Sequence, residues 1–314
     1  MEEIGNLIMP PANSTMASEV DALFYFIFYT AIVFFLIVIF FTTYFIIKYR
    51  RKGDSELTTG LAHNTKLEIL WTVIPTILVI IVFIWGFKTY LQMNVAPKDA
   101  LEIKATGQKW FWTFDYQNGA NSLNDLIVPV GQPVKLLMSS QDVIHSFFVP
   151  DFRVKMDVLP NRYTITWFEA INEGEYDIYC SEYCGKGHSE MLGKVKVVSE
   201  KDYNQWLAQA AVDIPEGMSL EEAGAELYKS KACATCHSID GSPGVAPSFL
   251  GSYGKNEKLI DGSEMLIDEN YIRESILNPQ AKIVLGFQPV MPTYQGVLKD
   301  RQIDALIAYI KSLQ

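Results

Sequence analysis

Charged residues are missing from two long stretches near the start of the chain. None occurs from Ala22 to Ile47, and a second uncharged run goes from Ile69 to Phe87. Wound as helices at about 1.5 Å per residue, these runs measure roughly 39 Å and 28 Å, against a hydrocarbon core of about 30 Å. The pattern predicts membrane helices over about 22–47 and 67–90, the second kinked by Pro75. A signal peptide would carry basic residues ahead of a shorter apolar stretch. Here Glu2, Glu3, Glu19 and Asp21 come before the first run, and Lys48, Arg50, Arg51 and Lys52 follow it. Positive charge between the spans places that loop on the cytoplasmic side. Residues 1–21 are then an outer N-terminal segment, residues 22–92 an outside-to-outside hairpin, and everything beyond is external, including the C-terminus.

The pattern changes after the hairpin. Short apolar stretches with β character occur at Leu101–Thr106, Val134–Met138, Tyr163–Phe168, Glu175–Cys180 and Gly193–Val198. Turn residues punctuate them at Pro129–Gly131, Pro160–Asn161 and Glu173–Gly174, which predicts an all-β sandwich or barrel over 97–200. Ser219 and Glu222 have capping-box spacing and open a helix through about Lys231. Ile303, Leu306, Ile307 and Ile310 repeat with helical period over Asp300–Leu313. Residues 219–314 therefore read as an all-α domain, and residues 201–218 as a linker centred on Val212–Gly217. The fold class is multidomain: a two-helix transmembrane hairpin, an all-β domain and an all-α domain.

Length agrees with several folded units, since 314 residues exceed one typical domain. A net charge of −10 argues against a nucleic-acid partner, which needs clustered Lys and Arg. The same charge suits a basic protein partner. The four cysteines form two close pairs, Cys180/Cys184 and Cys233/Cys236, each followed by a histidine. That arrangement favours cofactor ligation over structural disulfides.

Cys180, Cys184, His188 and Met191 fall within twelve residues. Thiolate, thioether and imidazole together favour copper. A mononuclear blue-copper site would use one cysteine, whereas two suit a pair of copper ions bridged by both sulfurs. Such a centre needs a second histidine, and His145 is the candidate among only four in the chain. A disulfide or a tetrahedral zinc site is the plainer reading of the same residues.

The Cys-x3-Cys-x3-His-x2-Met run, the segment Ser140–His145 and the hairpin resemble cytochrome c oxidase subunit II over residues 20–200. The resemblance implies a cupredoxin-like Greek-key domain holding a dinuclear copper centre (CuA). Its ligands would be His145, Cys180, Cys184, His188, Met191 and the backbone carbonyl of Glu182. The Glu182 side chain would bind Mg²⁺ at the boundary with subunit I, consistent with the preference of Mg²⁺ for oxygen. Within the aromatic run Gly107–Tyr116, Trp110 matches the residue through which electrons enter, although most tryptophans serve only to fill a core. Glu68, in Leu67–Pro75, matches a residue at the mouth of a proton path into subunit I. It could equally set topology. Arg153 stands where the family commonly has a small residue.

Cys233-Ala-Thr-Cys236-His237 is the C-x-x-C-H signature of covalent haem c attachment, with His237 as proximal ligand. Gly224 and Tyr228 on the preceding helix and Tyr309 on the last one resemble small class I cytochromes c, where a glycine lets two helices cross closely. That resemblance makes the Pro247 carbonyl the hydrogen-bond acceptor for His237. The sixth ligand is expected to be Met291, with Met265 as rival.

These parts imply a cytochrome c oxidase subunit of the bacterial inner membrane, embedded in lipid beside subunit I and subunit III. It would take electrons from an upstream cytochrome or quinol-oxidising complex. It would pass them through haem c and CuA to subunit I, where O2 is reduced to water and protons are pumped. The chain lacks the His-rich membrane helices needed for oxygen chemistry. Three other classes share parts of this pattern: a copper-free quinol-oxidase subunit, a nitric-oxide reductase subunit with CuA and haem c, and a free-standing tethered carrier.

Overall fold

The computed structural model describes residues 8–51, 53, 63–210, 214, 217–242 and 244–314. Helices α1 (Ala17–Lys48) and α2 (Thr65–Asn94) come first, each longer than its uncharged run. Glu19 extends α1 because the first helical turn accommodates acidic side chains. Asn64 caps α2 by accepting from the Leu67 N–H, and α2 is continuous across Pro75. Apart from Phe26 against Trp85 and Leu23 against Gly86, the helices present large apolar side chains outward, among them Phe35, Phe40, Val79 and Phe83. Such a surface requires lipid or other membrane subunits around it. Most of the loop between the helices, and most of Val212–Gly217, lies outside the described residues.

The external β-domain is a sandwich of two five-stranded sheets. Its strands are β1 (Leu101–Gln108), β2 (Phe111–Tyr116), β3 (Asn121–Leu123), β4 (Asp125–Pro129), β5 (Pro133–Ser140), β6 (His145–Val149), β7 (Val154–Val158), β8 (Thr164–Glu169), β9 (Gly174–Cys180) and β10 (Leu192–Val198). One sheet runs β3-β2-β1-β5-β8 and the other β4-β10-β9-β6-β7. Alternating inward residues fill the space between them, with Trp112, Phe114, Phe147, Phe152 and Phe168 fully buried. Each such aromatic contributes about 1.5–3 kcal/mol by leaving water. The residues expected to link the domains instead begin with a helix, α3 (Glu200–Ala210). Its Tyr203 and Trp206 cover Tyr116, with Trp206 at 4.8 Å, so α3 belongs to the sandwich.

The C-terminal domain contains α4 (Leu220–Ser230), a small hairpin of β11 (Asn256–Lys258) and β12 (Glu264–Leu266), α5 (Glu269–Leu277) and α6 (Asp300–Ser312). Ser219 and Glu222 form the capping box of α4. A methyl group on Gly224 would lie 2.1 Å from the Ala305 carbonyl oxygen, so α4 and α6 cross at near backbone contact. Tyr228 and Tyr309 stand 5.6 Å apart at the same crossing.

The sandwich is clasped to the membrane hairpin. Ser14 forms a β-bridge with Ala170, and the Trp167 indole N–H donates to the Gln92 carbonyl. Arg153 faces the N-terminal segment. Its guanidinium donates twice to the Asp21 carboxylate, at 2.8 Å each, and to the carbonyls of Pro10, Pro11 and Pro150. Its side chain is 7% exposed, so the pair is largely desolvated. Arg153→Ala leaves Asp21 without its partner and is expected to cost about 2 kcal/mol. Limited proteolysis ahead of α1 should accelerate in that variant, and an unchanged cleavage rate would refute the clasp.

Candidate metal and haem centres

The copper constellation forms where three strands of one sheet end together. His145 starts β6, Cys180 ends β9, and Met191 immediately precedes β10, while Cys184 and His188 lie on the intervening loop. Antiparallel pairing of Phe147 with Cys180 fixes the register that brings these ends together. The Cys180 and Cys184 sulfurs are 3.8 Å apart. Nδ1 of His145 is 3.8 Å from the Cys180 sulfur, and Nδ1 of His188 is 3.6 Å from that of Cys184. The Met191 thioether lies 3.8 Å from Cys184, and the Glu182 carbonyl oxygen 3.3 Å from Cys180. The Glu182 side chain is exposed. His145, Cys180 and Cys184 are buried, and their ligand atoms all lie within 4.8 Å of one another. The two sulfurs have an imidazole each and a thioether beside them, a donor set that fits soft metal ions.

Around these ligands lie residues that sequence reasoning gave no role. Asp142 Oδ1 is 2.8 Å from Nε2 of His145, leaving Nδ1 turned toward the sulfurs. Asp142 is itself held by the backbone N–H groups of Lys109 and Val143. A carboxylate three residues before a candidate histidine ligand was the available signal. Glycines provide the remaining room. A methyl on Gly107 would lie 3.0 Å from the His145 ring, and one on Gly187 would lie 2.5 Å from the Trp110 indole. Trp110 therefore rests on the copper loop, its indole N–H donating to the Cys184 carbonyl at 3.3 Å.

Burial alone would raise the Cys180 thiol, but hydrogen bonding to His145 and to the backbone at Ser146 and Glu182 outweighs it and brings it down to about 6. Burial, followed by the adjacent Cys180, pushes Cys184 up to about 12. In His145 burial opposes protonation, and hydrogen bonding and charge from Asp142 and Cys180 together outweigh it, raising it.

In the helical domain, a short 3-10 turn spans Cys233–Thr235, with Cys236 and His237 immediately after it. His237 Nδ1 is 2.8 Å from the Pro247 carbonyl oxygen, and its ring stacks on Phe249 at 4.3 Å. Burial holds the imidazole below its usual value despite the Pro247 bond, so it is neutral near pH 7 with Nε2 free for a metal. Met291 packs with Cys233 and Phe249 against the core of this domain, whereas Met265 sits in β12 outside that cluster. Burial, and after it the Glu190 carboxylate on the loop of Cys184 and His188, push the Cys236 thiol up. Far from both constellations, Glu68 accepts from the Asn64 N–H in the first turn of α2.

A membrane-anchored cupredoxin-like domain carrying a cytochrome c domain defines an electron-transfer subunit. Residues 2–89 match the transmembrane domain of cytochrome c oxidase subunit II, residues 120–198 its periplasmic domain, and residues 221–314 cytochrome c. The chain is 34% identical to cytochrome c oxidase subunit 2 of Alkalihalophilus pseudofirmus, across 86% of this chain and 81% of that one. It is 32% identical to the probable subunit 2 of Rickettsia prowazekii over 63% of this chain and 70% of the relative. The crystallised periplasmic domain of cytochrome oxidase subunit II from Bradyrhizobium japonicum is 34% identical, spanning 37% of this chain and 96% of that one, with a TM-score of 0.36. The chain belongs to the cytochrome c oxidase subunit II family, extended by a cytochrome c domain. It is thus a membrane protein with an outer-side domain and a subunit of a haem–copper oxidase.

Two outcomes follow from this geometry. In copper-free protein, iodoacetamide should modify Cys180 before Cys184, because the thiolate is the nucleophile. The Cys180 rate should rise as pH passes about 6, while Cys184 resists until about 12. Mass-spectrometric mapping that finds Cys184 modified first would contradict the assignment. Gly187→Ala should displace the Trp110 indole at a cost of about 1–3 kcal/mol. It should also lower the copper-to-haem ratio in metal analysis while leaving haem content unchanged.

Proposed function

We propose that this chain relays electrons from a donor at its cytochrome domain, through its copper domain, to subunit I of a bacterial inner-membrane oxidase. Bound copper and haem c would supply the one-electron chemistry. The observation that carries this reading is the pair of buried sulfurs 3.8 Å apart with an imidazole nitrogen facing each. Two sulfurs, two imidazoles, a thioether and a carbonyl oxygen exceed the four ligands of a tetrahedral zinc site, the thioether favours copper, and no sulfur–sulfur bond joins the cysteines. In this reading His145, Cys180, Cys184, His188, Met191 and the Glu182 carbonyl hold the copper pair. Asp142 fixes the orientation of His145.

Cys233 and Cys236 would attach the haem through thioethers, and His237, tied to Pro247, would present Nε2 to the iron. Met291 is assigned as the sixth ligand because it packs with Cys233 against the domain core. Trp110 couples into the copper site through its contact with the Cys184 carbonyl. The exposed Glu182 carboxylate would bind Mg²⁺ against subunit I, with subunit III beside it in the complex. Oxygen reduction and proton pumping fall to subunit I, and Glu68, at the inner end of α2, would stand at the mouth of a proton path. Asn64 holds that carboxylate in place at 3.0 Å.

The test is low-temperature electron paramagnetic resonance on the oxidised protein, with copper and haem quantified in the same sample. About two coppers per covalent haem, with a multi-line signal from one electron shared between them, is the expected result. Cys184→Ser should abolish that signal and keep the haem. Haem without copper, in protein expressed with ample copper, would sink the relay.

A further inference from the structure

The cytochrome domain touches the copper domain through a small group of residues, one aromatic pair and several polar contacts. Phe111, at the start of β2, is 5% exposed, yet it belongs to neither hydrophobic core among the described residues. Its ring is covered by Tyr294, 5.8 Å away and nearly parallel at 8°. Tyr294 in turn donates its hydroxyl to the Lys231 carbonyl at 2.7 Å, two residues before the first haem cysteine.

The polar contacts are as specific. Lys231 is 6% exposed, and its ammonium donates to the Asn121 side-chain oxygen on β3 at 2.6 Å. The amide nitrogen of the same Asn121 donates to the Val297 carbonyl, so both ends of one side chain are used by the cytochrome domain. Gln108 donates to the Thr293 carbonyl at 3.2 Å. These groups border a polar cavity of about 120 Å³ whose wall also includes Asp115, across from Lys231. A buried ammonium is costly unless its partners are in place. Lys231 finds its side-chain partner on the other domain, which ties its burial to closure of the interface.

We propose that Lys231 and Tyr294 of the cytochrome domain, with Asn121 and Phe111 of the copper domain, form a latch that holds the two domains in one docked arrangement. Thr293 and Tyr294 directly follow Met291–Pro292, so the latch grips the same loop that carries the candidate sixth ligand. Phe111 directly follows Trp110, so the latch also sets the cytochrome domain next to the residue whose indole contacts the Cys184 carbonyl. This inference rests on the relay reading for its purpose, although the latch itself is defined by contacts alone.

Lys229, exposed and two residues away, provides an internal reference. The full chain, in detergent and loaded with copper and haem, is treated with an amine-acylating ester and mapped by mass spectrometry. Lys231 should react about tenfold or more slowly than Lys229, since its labelling requires the interface to open. Asn121→Ala, which leaves the sandwich core intact, should speed Lys231 labelling by about threefold or more. Adding Phe111→Ala should bring Lys231 close to the Lys229 rate, with the copper-to-haem ratio unchanged. Lys231 labelled as fast as Lys229 in the unaltered chain overturns the latch, and so does protection that survives Asn121→Ala. Because labelling needs no electron transfer, such a failure leaves the metal assignments standing, and these fail separately through the copper count.

Discussion

Holding the Cys180 and Cys184 sulfurs 3.8 Å apart in a buried site is unfavourable whenever both are ionised, because burial and, after it, the like charge drive one pKa upward. The chain brings them together regardless, and the surrounding structure serves that contact. Strands β6 and β9 pair so that His145 reaches Cys180, and Asp142 turns the correct imidazole nitrogen toward it. The loop between β9 and β10 folds back far enough for His188 and Met191 to close on Cys184. Gly187 permits that loop to lie flat against Trp110. A cationic metal would neutralise both thiolates at once, and binding it would release the proton that Cys184 otherwise keeps.

Much of this was legible in the sequence where chemistry is dense. The two cysteine pairs, their histidines and the uncharged runs each carry a signal in a few residues. Legibility failed where a segment serves two neighbours. Phe111–Tyr116 has no apolar–polar alternation, because four of its first four residues are buried by the sandwich and the second domain together. The β6 residues His145–Val149 were not among the expected strands, yet they form a nearly wholly buried strand. Helix α3 was taken for linker because its sequence is mostly polar, with Tyr203 and Trp206 supplying much of its grip on the sandwich. Asp142 was visible, but only its partner's position gives it a role.

The two domains also divide their stabilising interactions differently. Within the sandwich, apolar area does most of the work, and its polar groups mainly set register. Between the domains the proportions reverse, with one aromatic pair surrounded by amide, carbonyl and ammonium contacts. Satisfied polar contacts of this kind specify an orientation more than they add net stability. For two redox centres, orientation is the property that matters.

The clasp between Arg153 and Asp21 joins residues far apart in the chain and on opposite sides of the hairpin in sequence order. Ser14 and Asn13 add backbone pairing to Ala170, Asp151 and Ile171 from the same N-terminal segment. The sandwich is therefore completed by a strip of chain synthesised before either membrane helix. Were only one of the two helices to cross the bilayer, the strip and the sandwich would lie on opposite faces, leaving that edge bare and Arg153 without Asp21. The clasp can therefore close only when the two helices insert as a pair.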